Sequence, residues 1–248
     1  MKWIDKLLIQ VVKNLRFLSS ISARLVKITG KSDRVIHPKH LLPEDPWFVA
    51  YLKKTDRVLD LGCGYGHNCL KASLVAKKII GIDKVVTDQK NGNIILKNGD
   101  LEKKLEFADG SFDVVLCLDT LEHLYNRDQL LREVRRILRS DGRLFLSLPN
   151  RQTGWKKLQR SLGINSFADP DHKKEYSLEE ILKLCRQAGF RVISTAPVVL
   201  DTPLAPVIDI VGGLSISLYA RLQKWKERKV IQHPEDTSGY RIICKKYD

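Results

Sequence analysis

The sequence predicts an α/β fold in which a seven-stranded, largely parallel sheet is flanked by helices. Short apolar runs alternate with segments of helical periodicity, the pattern of βαβ units. A glycine-rich turn, RVLDLGCGYGHN at residues 57–68, joins the first run to a helix. The 248 residues with 43% hydrophobic composition suit one full-sized core.

The first element stands outside the alternation. Ile4, Leu7, Leu8, Val11, Val12, Leu15 and Leu18 recur at helical spacing opposite a face carrying Lys6, Lys13 and Arg16, which predicts a basic amphipathic helix within an extension over residues 1–44. Asp5, Lys6 and Lys13 interrupt its apolar stretch, leaving no uncharged core for a signal peptide or a membrane span. Residues 45–248 are expected to form the main domain. Its strands are read at Val58–Leu61, Ile79–Ile82, Ile94–Leu96, Val114–Leu118 and Leu144–Leu148. Between the last two, DQLLREVRRILRSDG places Leu130, Leu131, Val134, Ile137 and Leu138 on one helix face, with Gly142 as the predicted stop. SLEEILKLCRQAGF opens with Ser177 as N-cap, has Glu180 as capping-box partner and closes at Gly189. RVISTAPVV and GYRIICKK complete the strands. Residues 202–236 form an insertion between these two, with no lysine or arginine from Asp201 until Arg221 and five within residues 221–229.

The turn after the first strand carries the functional reading. Gly62, Gly64 and Gly66 let main chain approach a ligand without Cβ interference and aim N–H groups at it. About twenty residues on, GID puts Asp83 at the neighbouring strand tip, where a carboxylate can accept both hydroxyls of a ribose. Together these describe a nucleoside pocket. A dinucleotide fingerprint requires G-x-G-x-x-G, whereas the spacing here is G-x-G-x-G followed by His67, which argues against a nicotinamide cofactor.

VLDLGCGYG resembles the first motif of the class I S-adenosylmethionine-dependent methyltransferases, and GID resembles their second. NGDLE is similar to the segment that meets the adenine, while FADGSFDVVLCLDTLEHL and LLREVRRILRSDGRLFLSLPN resemble the fourth-strand and fifth-strand regions of the type 11 group. The resemblance covers residues 45–196 and the terminal GYRIICKK. It implies a Rossmann-like sheet of six parallel strands with an antiparallel last strand, and S-adenosylmethionine as cofactor. By position, Gly62, Gly64 and Gly66 would lie against the methionine part with Asp60 beneath the loop. Asp83 would hold the ribose, Asp100 and Leu101 would meet the adenine, and Leu118 and Asp119 would border the methionine and methyl group. Simpler roles stand beside these: Asp60 as a cap for backbone amides, and Asp100 as the closure of a turn.

Methyl transfer needs alignment more than a nucleophilic residue, but a hydroxyl acceptor needs a base. His172, within DPDHKKEYS, is the first candidate and His123, within LEHL, the second. The five cysteines form no C-x-x-C pair and have no histidine at ligand spacing, so no metal site is expected and buried thiols in a cytoplasmic compartment are. A net charge of +14 points to anionic partners. The basic helix and the insertion suggest peripheral contact with an anionic membrane at its inner face, and hence a small-molecule, glycan or lipid-linked acceptor, with O-methylation preferred. RNA methylation is an alternative on charge alone, disfavoured because the basic residues are not interleaved with aromatics. A non-catalytic nucleoside-binding protein docking a membrane or nucleic acid is the rival from another class.

Overall fold

The computed structural model describes residues 3–43 and 46–247, which fall into two compact units. The larger comprises residues 46–150, 168–196 and 239–248, and it holds the sheet. In chain order its elements are β1 Arg57–Leu61, α2 His67–Ser73, β2 Lys78–Asp83, β3 Gln89–Asn91, β4 Ile94–Asn98, β5 Phe112–Leu118, α3 Arg127–Ile137, β6 Leu138–Pro149, α5 Leu178–Gln187, β7 Phe190–Pro197 and β8 Gly239–Lys246. The labels α1, α4, α6 and α7 belong to helices of the second unit, given below.

The strands form one sheet in the order β3-β4-β2-β1-β5-β6-β8-β7. Neighbours from β4 through β6 run parallel, and β8 runs antiparallel to β6, as the family resemblance implied. Both faces are covered, which is why the central strands read as continuous apolar runs. Leu59, Leu61, Ile80, Ile82, Val115, Cys117, Leu144 and Leu146 point to one side, against Leu130, Leu131, Val134 and Ile137 of α3 and Ile181 and Cys185 of α5. Their alternates Val58, Ile79, Val114, Leu116 and Phe145 point to the other, against Cys69 and Ala72 of α2 and against Phe48 and Leu52. All five cysteines are buried thiols.

The sheet has eight strands where seven were expected. The extra one, β3, pairs antiparallel with β4 through a hairpin whose Gly92 has φ +57°. Gln89, Lys90 and Asn91 are all exposed, so no apolar alternation marks them, although the Asn91-Gly92 pair is itself a hairpin signal. A second correction concerns Gly142, which does not end α3. The helix stops at Ile137, the Leu138 amide closes it on the Val134 carbonyl, and Leu138 already pairs with Phe112. Gly142 instead lies in the irregular stretch that lets β6 resume pairing at Arg143, where a Cβ would stand 2.9 Å from the Arg139 carbonyl oxygen. The capping box of Ser177 and Glu180 forms as read, with Gly189 at φ +79° beyond the helix.

The second unit comprises residues 1–45, 151–167 and 197–238 and is helical: α1 Trp3–Ile28, α4 Gly154–Ser161, α6 Ala205–Leu214 and α7 Ile216–Gln232. The insertion contains the pair Gly212 and Gly213. They sit inside α6, where added Cβ atoms would come within 2.6 Å of Pro38 and of Leu25 in α1, so glycine permits the close crossing. Asp209 on α6 pairs with His37 at 3.1 Å and accepts from the buried Tyr219 hydroxyl. On α1, Val12, Ser22 and Val26 are buried, whereas Trp3, Ile4, Leu7, Val11 and Phe17 remain exposed. Among the described residues no helix is long and apolar enough to cross a membrane.

Candidate functional site

The parallel strands β1, β2, β4 and β5 end at one edge of the sheet, and the chain turns in opposite directions after β1 and β5, the place where open α/β sheets bind ligands. A cavity of about 380 Å³ opens there, lined by Gly62, Asp83, Lys84, Gly99, Leu101, Asp119, Thr120, His123 and Leu124.

Its floor is the glycine turn. The Gly62 and Cys63 amides donate to the Ile82 carbonyl, which ties the turn to the tip of β2. Gly62, Gly64 and Gly66 all take positive φ, at +73°, +52° and +85°. Gly62 is also in close contact, since a Cβ there would stand 2.4 Å from the Thr120 Oγ1. Gly66 starts α2 in the left-handed conformation. Gly81 of GID, not singled out from sequence, is forced by packing: a Cβ would lie 2.6 Å from the Cys69 Sγ and 2.8 Å from the Cys63 Sγ.

Asp83 stands on the cavity wall, and its carboxylate also braces the turn. The Oδ2 accepts from the Gly64 amide at 2.8 Å and the Oδ1 from the Val85 amide at 3.1 Å. Each oxygen keeps a second lone-pair direction for a ligand hydroxyl. Leu101 offers an apolar wall beside Gly99, where a Cβ would strike the Ile82 Cγ2 at 2.6 Å. Asp100 lies beside this wall without lining it. It accepts from the Glu102 amide at 3.0 Å and pairs with Lys84 at 3.2 Å, and these two partners hold its carboxyl below the usual range. The turn-closing role is therefore realised, and Lys84, unmarked in the sequence, joins the wall.

At the end of β5, Leu118 is half-buried and Asp119 reaches the cavity in a left-handed conformation, φ +48°, the only non-glycine positive φ among the described residues. Ser147 of β6 secures it: the Asp119 amide donates to the Ser147 carbonyl and hydroxyl oxygens, and that hydroxyl donates to the Asp119 Oδ1 at 2.8 Å. Backbone held in such a region concentrates at ligand sites.

Asp60 lies under the turn at 1% exposure, where it accepts from the Cys69 thiol. Burial pushes its pKa up to about 7, with Asp83 adding repulsion. A carboxyl whose folded pKa exceeds its unfolded value costs stability when ionised. That cost is absent below pH 4, grows as pH rises to 7 and is complete above it, reaching about 4 kcal/mol at most. Asp60→Asn is expected to unfold at higher urea than the parent at pH 8 and at similar urea at pH 4.5. Parallel pH profiles for the two proteins would show that Asp60 is ionised without penalty.

Behind the wall lies a second cluster. Glu122 is 1% exposed, and burial pushes its carboxyl up to about 8, helped by Asp119, Glu175 and Asp169. His172 Nδ1 lies 2.9 Å from the Glu175 Oε1, and its Nε2 lies 3.9 Å from the Glu122 Oε1. The His123 ring packs edge-on against His172, with centroids 4.8 Å apart. His123 lines the cavity; His172 stands one layer back. Glu175 was not anticipated, although its spacing from His172 was available in DPDHKKEYS. In the same stretch the Asp171 amide donates to the Asp169 carboxylate, and Tyr176 packs into the core.

S-adenosylmethionine suits this cavity on three grounds: bare main chain at Gly62, a carboxylate at the adjacent strand tip, and an apolar face at Leu101 for a base. Known proteins agree. A family model described as a methyltransferase domain matches residues 37–195. A probable S-adenosylmethionine-dependent methyltransferase of Mycolicibacterium smegmatis is 30% identical over 187 residues, covering 70% of this chain and 70% of its own. Another, of Mycobacterium tuberculosis, is 30% identical over 186 residues, covering 69% of this chain and 64% of its own. Among solved structures, the YcgJ protein of Bacillus subtilis superposes with a TM-score of 0.54 at 20% identity, over 82% of this chain and 97% of that one. A Methanosarcina mazei methyltransferase gives 0.55 at 21%, over 83% and 99%. Motif, fold and relatives coincide: the chain belongs to the class I S-adenosylmethionine-dependent methyltransferases.

Proposed function

We propose that the protein methylates a hydroxyl oxygen on a small-molecule, glycan or lipid-linked acceptor. One observation carries the choice of oxygen: a buried carboxylate and two histidines, Glu122, His123 and His172, stand together immediately behind the cavity wall and reach the cavity through His123. An alcohol must lose its proton on methylation, and a cluster of this kind can promote that loss.

In this reading the Gly62–Gly66 main chain and Asp119 hold the amino-acid end of the cofactor, Asp83 accepts the ribose hydroxyls and Leu101 packs on the adenine, with Asp100 orienting Lys84 at the rim. The cofactor supplies an electrophilic methyl carbon on a positively charged sulfur. The protein's own work is to align the acceptor oxygen behind that carbon and to promote the loss of its proton. The lipid-linked option draws support from α1, where Trp3, Ile4, Leu7, Val11 and Phe17 are exposed beside Lys6 and Lys13, a composition suited to an anionic bilayer. Peripheral attachment at the inner membrane face is part of the same proposal.

The test supplies S-adenosylmethionine with a ¹³C-labelled methyl group, and the protein, to an extract of cells lacking the gene. The extract is then split into aqueous and lipid phases. An O-methyl carbon resonance is expected, and the phase holding it separates soluble from lipid-linked acceptors. Label found only on nitrogen or carbon contradicts the reading.

A further inference from the structure

We propose that Glu122, His123 and His172 bind a divalent first-row transition-metal ion at the inner wall of the cofactor cavity, and that this ion takes the acceptor hydroxyl as a ligand. The inference rests on the oxygen-methylation reading and names how that oxygen is activated.

The geometry is that of an ion site in three respects. First, one ligand atom from each residue falls within 4.8 Å of the other two. Ligands around a metal with bonds near 2.1 Å stand roughly 3–4 Å apart. The 3.9 Å between His172 Nε2 and Glu122 Oε1 is too long for a hydrogen bond and within that range. Closing the widest gap takes movement of about 1 Å.

Second, His172 is already oriented as a ligand. A carboxylate can only accept, so the 2.9 Å contact to Glu175 puts a proton on Nδ1, and Nε2 is turned toward Glu122. A carboxylate behind a histidine in this arrangement is the usual support of a metal-bound imidazole. The Glu175 side chain is fully buried and that of His172 is 7% exposed, which makes this an internal arrangement.

Third, one Glu122 oxygen is unpartnered. Its Oε2 is buried without a hydrogen-bond partner among the described residues. An unpartnered carboxylate oxygen in the interior is costly unless a proton or a cation meets it. The Lys173 and Lys174 amides donate to the Glu122 main-chain oxygen, so the loop carrying His172 is fastened to the residue it would share the ion with.

Two imidazoles and one carboxylate select zinc, manganese or iron over magnesium, which prefers oxygen ligands and bound water. Three protein ligands leave open positions, as catalytic sites require. With the acceptor oxygen in one of them, its O–H pKa falls and the proton passes to solvent water. An oxygen lone pair then forms the bond to the methyl carbon, the carbon–sulfur bond breaks, and its electron pair stays on sulfur as a neutral thioether.

The intact protein, stripped with a chelator, should be dialysed against Mn²⁺ and, separately, Zn²⁺. Binding of S-adenosylhomocysteine is measured in the same samples. One ion per chain is expected, with at least tenfold weaker binding in His172→Ala and in Glu122→Gln while both variants still bind S-adenosylhomocysteine. Absence of a stoichiometric ion in the wild-type protein overturns the proposal and leaves His172 as a buried hydrogen-bonding partner of Glu175. Ion binding unchanged in both variants overturns it too, and the wild-type result stands even if a variant fails to fold. Failure of the oxygen-methylation reading shows separately, as label on another atom with the ion bound.

Discussion

Gly62→Ala is expected to destabilise the protein by roughly 2–5 kcal/mol, combining the left-handed backbone penalty with forced overpacking. The Cβ would stand 2.4 Å from the Thr120 Oγ1 and 2.5 Å from its Cγ2. Thr120 cannot yield, because its buried hydroxyl donates to the Leu61 and Leu118 carbonyls and so joins the ends of β1 and β5. The two causes separate experimentally. Adding Thr120→Ala to Gly62→Ala removes the collision and leaves the backbone strain, so the double variant should be more stable than the sum of the single changes predicts. Urea midpoints for the four proteins complete the cycle. Simple additivity would place Thr120 outside the cause.

Asp83→Ala carries the largest expected effect on binding. The carboxylate is in contact with the turn through the Gly64 amide, and it lines the cavity. Removing it takes away a charged acceptor for the ribose and frees the Gly64 amide at once, so S-adenosylhomocysteine should bind weaker by about 1.5–3 kcal/mol, roughly ten- to a hundredfold. Asp83→Asn keeps one acceptor oxygen and should fall between the two. Equal affinity in wild type and both variants would place the ribose elsewhere.

The central sheet was legible because strands buried on both faces must be apolar at nearly every position, as Val58–Leu61 and Val114–Leu118 are. β3 was not, since an exposed edge strand needs no apolar residue and Gln89, Lys90 and Asn91 have none. The α3–β6 boundary was missed for another reason: Gly142 resembles a helix stop in sequence, but tertiary pairing of Leu138 with Phe112 ends the helix earlier.

Within the site, the glycine turn and Asp83 were readable because backbone approach and strand-tip carboxylates leave a local pattern. The supports were not. Thr120 against Gly62, Ser147 under Asp119 and Lys84 beside Asp100 are contacts between segments at the ends of different strands, and no short window contains them. His123 and His172 were each marked from sequence as separate candidates. Only the fold shows that they form one cluster with Glu122, with Glu175 behind it.

The central claim is that the turn from Gly62 to Gly66 and the tip of β2 form a pocket for the sulfonium nucleoside. Calorimetric titration of the wild-type protein with S-adenosylmethionine, S-adenosylhomocysteine and NAD tests it most directly. One site per chain at micromolar affinity for the first two, and no heat from NAD, is the expected result; NAD binding with neither of the others would contradict it.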